Sequence, residues 1–200
     1  AEDEPTTRGA ALEVLTHIAY RKGDTDVAKK LAADALKAYQ QAGSLSGIQS
    51  CHRTLGLIAS KDPEQSELAI SHFEVTLQIS ELQRQQVELN ESGADRAGFF
   101  ARHAYTNERL NDLLVEKGDV SRALEVAEMA KARSFQDLLA QNLAGEDSED
   151  ASEFVTLDEA LEQWPDQTCA VEFFIGSRYA YAFCVFPGGD VSAHRLSDSD

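Results

Sequence analysis

Apolar residues recur at helical spacing through the first three-quarters of the chain and at strand spacing in its last fifth. In the helical part the pattern predicts helices at about 9–21, 25–41, 44–60, 65–89, 95–116 and 120–142. Pro occurs there only at Pro5 and Pro63, and Ala, Leu, Glu and Gln dominate, as helices favour. After Pro165 the pattern alternates. Thr168–Ile175, Arg178–Phe186 and Val191–Leu196 read as three strands, joined by Gly176-Ser177 and by Pro187-Gly-Gly-Asp190. A short helix is predicted from Leu157 to just before Pro165.

The helical part repeats itself. Leu15, Gly23-Asp24, Ala28 and Ala35 are spaced as are Leu110, Gly118-Asp119, Ala123 and Ala130. A looser copy carries Leu55-Gly56, Ala69, Phe73 and Leu77, with one more residue in its turn at Asp62-Pro63-Glu64. This is the signature of antiparallel helix pairs. The first helix offers Leu to its inner face, and Gly turns the chain at positive φ. Asp can cap the second helix, whose small Ala lets the two axes approach. A pair of this kind cannot bury its apolar face alone, so copies stack.

These residues resemble tetratricopeptide repeats (TPRs) over most of positions 9–143. The spacing from Leu15 to Leu55 and from Leu55 to Leu110 exceeds the family's 34-residue period. The excess is expected in longer helices and loops, notably around Glu81–Gly93. The resemblance implies a concave groove that takes a protein or peptide ligand. Its expected lining, from the first helix of each pair, is Glu13, His17 and Tyr20, then Arg53 and Leu57, then Tyr105, Glu108 and Asp112. The Lys/Asn/Arg carboxylate clamp by which some TPR proteins hold chaperone tails is missing, since Glu13 and His17 stand at the clamp positions.

A second resemblance follows. Ala130-Lys-Ala-Arg-Ser-x-x-x-Leu-Leu-Ala140, then a helix and a strand meander, is similar to the junction between TPR arrays and the CHAT domain, a caspase-like, separase-related peptidase fold. The resemblance implies α+β architecture: a TPR-like superhelix, then a short helix and a three-stranded meander opening a caspase-like domain. It also implies a His–Cys dyad, in which His is the base and the Cys thiolate attacks the scissile carbonyl. In that family both lie beyond such a meander, so no catalytic residue is assigned within this chain.

His194 and Cys184 fall on neighbouring strands and read as packing residues, since no cation flanks Cys184. Cys51 and His52 are adjacent on a helix and point apart. No metal spacing, phosphate loop or cofactor motif is present, so none of these groups is expected.

Charge divides the chain as composition does. Residues 1–144 hold 22 acidic and 16 basic side chains; residues 145–200 hold 13 and 2. The acidic run Gly145–Glu153 reads as a linker. The expected organisation is therefore a helical repeat domain at 1–144, a linker at 145–156 and an incomplete α/β portion at 157–200. A net charge of −17 argues against nucleic acid or an anionic membrane as partner. Three scattered cysteines suit a reducing, cytoplasmic setting, with export the alternative because the first residue is Ala1.

The second strand is apolar on both faces: Tyr179, Tyr181, Phe183 and Val185 on one, Ala180, Ala182, Cys184 and Phe186 on the other. Such a strand belongs inside a sheet covered on both sides. Tyr179, Tyr181, Phe183 and Phe186 are thus expected to await a partner: the rest of a domain, or another copy of the chain. Two readings follow. One is the interaction and regulatory part of a TPR–CHAT peptidase, itself inactive. The other is a stand-alone adaptor that dimerises or binds a partner through its meander.

Overall fold

The computed structural model describes residues 3–88, 94–142 and 168–198, with side chains described for 4–83, 104–131 and 168–196. The fold is α+β: six helices precede a three-stranded antiparallel sheet. The helices are α1 (Asp3–Lys22), α2 (Thr25–Ala42), α3 (Leu45–Ala59), α4 (Ser66–Glu88), α5 (Ala94–Lys117) and α6 (Val120–Asn142). The strands are β1 (Ala170–Ile175), β2 (Tyr179–Val185) and β3 (Val191–Asp198). The expected linker and the expected helix from Leu157 lie outside the described residues.

The repeated turn signal works as its chemistry requires. Gly23 and Gly118 sit at φ 85° and 80°, the left-handed conformation that ends a helix without a Cβ penalty. The following Asp24 leaves its carboxylate out of the cap. Its backbone carbonyl instead accepts from the Ala28 N–H at 2.9 Å. Asp119 behaves likewise: its carbonyl takes the Ala123 N–H, while its carboxylate pairs with Arg122 at 3.1 Å. At the second junction Ser44 Oγ does cap α3, accepting from the Gly47 N–H at 3.3 Å. The extra residue of the looser copy is taken up by a 3₁₀ turn at Pro63–Gln65, capped by the Asp62 carboxylate. Surplus repeat length goes into the helices: α4 and α5 run 23 and 24 residues, against 18 and 15 for α2 and α3.

The chain forms two compact units, Ala1–Glu91 and Ser92–Asp200. The third helix pair therefore groups with the sheet, whereas composition alone shifts only near residue 145. In the first unit, Ala28, Ala32, Ala35 and Ala69 are buried with at most 1% exposure, as close helix approach demands. Tyr39 closes one end of this core. Its ring lies over Gly9 of α1 and Gly47 of α3, both of which lack the side chain that would collide with it.

The expected inward Leu holds for two copies of three. Leu55 and Leu110 are buried, but Leu15 is 48% exposed. Among the described residues, no helix covers that face of α1.

In the second unit, Leu110, Leu114, Ala123, Leu124 and Ala127 form a tight α5–α6 seam. The sheet runs in the order β1-β2-β3, with Phe174 opposite Tyr181 and Phe183 opposite both Glu172 and Ala193. Gly188 and Gly189, both near φ 90°, make the β2–β3 turn. A register shift between Ala180 and Tyr181 displaces the end of β3.

Candidate functional site

The groove positions fall into two groups. In the first unit, Glu13 is already engaged: its carboxylate accepts from the Tyr39 hydroxyl at 2.8 Å and from Ser50 Oγ. One acid thereby ties α1 to α2 and α3. Burial, followed by the Glu13 hydrogen bond and charge, raises the Tyr39 pKa well above the ordinary phenol range. His17 lies exposed one turn on, its Nε2 3.9 Å from Glu13. Tyr20 is half-buried beneath Lys61 Nζ, 3.9 Å above its ring centre. Arg53 and Leu57 are half-buried on α3.

On α5 the same repeat positions are occupied by the protein itself. Ser177, in the β1–β2 turn, donates to Glu108. Gly176 approaches so closely that a Cβ there would lie 3.1 Å from the Glu108 side chain. Tyr181 donates to Asp112 at 3.0 Å, and Arg109 pairs with the same carboxylate at 3.3 Å. Asp112 is therefore not a groove residue open to solvent, and Tyr105 is the one of the α5 trio that stands exposed. Burial raises the Asp112 pKa, with the Tyr181 hydrogen bond and Arg109 pulling the other way. The Tyr181 phenol is raised too, first by burial and then by the Asp112 charge.

The same contacts decide which sheet face is covered. Tyr181, Phe183, Val185 and Phe174 are buried on the side where Asp112 of α5 and Lys131 of α6 reach the sheet, the latter through an ion pair with Glu172. Tyr181 and Phe183 are thus already buried, Tyr181 against Asp112 of α5, and do not stand open to a partner. Tyr179 is capped by the Arg195 guanidinium, 3.7 Å from its ring centre, and flanked by Arg178. Only Phe186 of the four expected residues lies well exposed, at 42%.

The open face is the other one. Val171, Phe173, Ile175 and Leu196 stand 50–79% exposed, beside the half-buried Ala180 and Cys184. Sequence reading missed these four. Pairing the strands as a tight hairpin would have found the β1 members, because Val171, Phe173 and Ile175 fall opposite Cys184, Ala182 and Ala180.

Among the described residues no nucleophile–base pair forms at the cysteines and histidines. His194 lies within 3.2 Å of Ser192 Oγ on exposed β3, and Cys184 is the cross-strand neighbour of Ser192. Cys51 is buried against Ala35 and Tyr39, which pushes its thiol up to about 12 and leaves it protonated. His52 turns the other way and meets His72 of α4, Nδ1 to Nδ1 at 3.0 Å. Among the described residues no cluster of three or more His, Cys, Asp or Glu is arranged to hold a metal ion, and no helix is long and apolar enough to cross a membrane.

Antiparallel helix pairs with small residues at the crossings, Gly turns in the first and third and an inner Leu in the second and third define a TPR-like helical array, with a sheet against the third pair. Known proteins agree with that class. The chain is 31% identical over 94 residues to tetratricopeptide repeat protein 28 of Mus musculus, covering 45% of this chain and 4% of that protein. The protein of the same name from Homo sapiens is 32% identical over 83 residues, 41% of this chain and 3% of its own length. The chain thus spans a small fraction of these relatives. No family model matches it. No solved structure matches it either.

Proposed function

We propose that this chain is the partner-recognition and regulatory portion of a TPR–CHAT-type, caspase-like cysteine peptidase whose His–Cys dyad lies outside these 200 residues. A TPR-like array is a protein-binding scaffold; the groove positions left to a protein or peptide ligand are His17, Tyr20, Arg53 and Leu57 in the first unit and, taken separately, Tyr105 in the second. One observation carries the rest of the reading: one face of the sheet is buried, and on the other the β1 side chains stand exposed, uncovered by any of the described residues. Val171, Phe173, Ile175 and Leu196 form an apolar surface, and β1 and β3 are both edge strands within the three-stranded sheet. Three strands with a half-covered core are the beginning of a larger sheet and not a finished one. The missing layer would come from the peptidase portion.

Sedimentation tests this. The full chain is run alone and mixed with any polypeptide encoded directly downstream. A defined 1:1 complex, lost in Phe173→Asp, is the expected result. A well-folded dimer of the chain that ignores the downstream product and dissociates in Phe173→Asp would replace this reading with a self-pairing adaptor. A stable monomer that ignores the downstream product would overturn both.

A further inference from the structure

Two imidazoles meet between the helices of the second pair. His52 on α3 and His72 on α4 are both half-buried, and their Nδ1 atoms face each other at 3.0 Å. The rings lie edge to face, with centres 5.1 Å apart and planes at 61°. Packing on either side fixes the distance between the two helices. One turn after His52, Gly56 lies so close to the Phe73 ring that a Cβ there would fall 2.7 Å from it. One turn before His52, Gln49 Nε2 donates to the Thr76 carbonyl at 3.3 Å and to Ser80 Oγ. The separation of the two nitrogens is thus set by the fold and not by the histidines alone.

We propose that His52 and His72 form a two-imidazole chelate for a divalent transition-metal ion of the Cu2+ and Ni2+ class, bridging α3 and α4, with water completing the coordination. The distance selects the class. Imidazole nitrogen binds such ions at about 2.0–2.1 Å, so two nitrogens stand about 2.9 Å apart at a right angle and about 3.3 Å apart at the tetrahedral angle. The observed 3.0 Å matches neighbouring corners of a tetragonal site, the geometry of Cu2+ and Ni2+. Cu2+ binds the tighter of the two, as the general order of divalent affinities requires. Only a small swing of each ring about χ2, a soft torsion, turns both lone pairs from the line between them to a common point. The proton now shared by the two Nδ1 atoms passes through solvent to Nε2 of its own ring, so both rings stay neutral. Burial holds both below the ordinary imidazole range, and neither needs to lose a proton near neutral pH. Lys29 of α2 opposes a cation here, and the net charge of −17 favours one. The two histidines stand 20 residues apart on different helices, which is why no metal spacing shows in the sequence.

Cu2+ alone is the probe, titrated into the full chain carrying Cys169→Ser and Cys184→Ser. Those changes leave only the buried Cys51 as a thiol that could take or reduce the metal. Electron paramagnetic resonance should show one bound ion with hyperfine structure from two equatorial nitrogens. His52→Asn and His72→Asn should each weaken binding by about tenfold or more. The double variant should bind no more weakly than the weaker single one, because chelation is already lost when either ring is gone. Denaturation midpoints without metal check that each variant folds. A second measurement needs no histidine variant: in proton NMR, trace Cu2+ should broaden the ring signals of His52 and His72 before those of the other histidines. Binding that survives either substitution in a folded variant would overturn the proposal. So would broadening that begins at another histidine, or the absence of a bound ion.

Discussion

The Tyr181 hydroxyl donates to Asp112 Oδ1 across 3.0 Å, joining β2 to α5 over 69 positions of sequence. Both groups are nearly sealed from water, at 2% and 4% exposure. The bond helps to join sheet and helix pair, because without it the Tyr181 hydroxyl would be buried unanswered and the Asp112 carboxylate would keep Arg109 alone. Tyr181→Phe should cost about 1–3 kcal/mol, the penalty for stranding a buried acceptor. Urea denaturation of the full chain measures it. A variant as stable as the parent would mean that Arg109 alone satisfies the carboxylate.

Acid should loosen the first unit through His52 and His72. Their Nδ1 atoms are 3.0 Å apart, so one ring must donate and the other accept. A second proton on the pair removes the acceptor and sets two cations face to face. Burial lowers both pKa values, that of His72 to about 4, with His52 and Lys29 adding repulsion. The unfolded chain then holds more protons than the native one between about 4 and the ordinary value of 6.5, so stability falls as pH drops through that window. The loss should be on the order of 1 kcal/mol, after discounting for solvent screening. Denaturation midpoints of the parent and of His72→Asn at pH 7 and pH 4.5 check this: the variant should show the flatter dependence.

Gly47→Ala should destabilise the first unit by about 1–3 kcal/mol. The added Cβ would fall 2.2 Å from the Tyr39 ring, which is itself pinned by Glu13 and backed by Gly9. Thermal unfolding reports the change. Tyr39→Leu in the same chain should recover part of the loss, because it removes the colliding ring.

The two faces of the sheet should answer mutation oppositely. Phe183→Ala empties a site with 0% exposure and should cost about 3–5 kcal/mol. Phe173→Asp, at a position 53% exposed, should change stability by no more than about 0.5 kcal/mol and improve solubility. Paired denaturation and light-scattering measurements distinguish them. A large loss at Phe173 would contradict a bare face.

Much of this architecture is written locally. Gly23-Asp24 and Gly118-Asp119 announce their turns, Ala28 and Ala123 their crossings, and the alternation from Val171 to Val185 its strands, because each depends on neighbours a few residues away. Sidedness does not. β2 is apolar on both faces, so only the Tyr181–Asp112 bond and the Lys131–Glu172 pair from α6 to the neighbouring β1 reveal which face is inside. Asp112 reads as a surface acid on a helix until Tyr181 is brought to it. Leu15 obeys the repeat in sequence and departs from it in space, since among the described residues no helix covers that face of α1.

The seat of the β1–β2 turn and β2 on α5 has a further consequence. Ser177 and Tyr181 hold Glu108 and Asp112, the positions that correspond to Glu13 and His17 in the first helix pair. Any ligand that reaches for this end of the array meets a competitor carried on the same polypeptide. Such a competitor acts at an effective concentration of order millimolar, so a free peptide gains these two acids only by displacing the sheet. A partner that pulls the sheet away would, by the same equilibrium, uncover them.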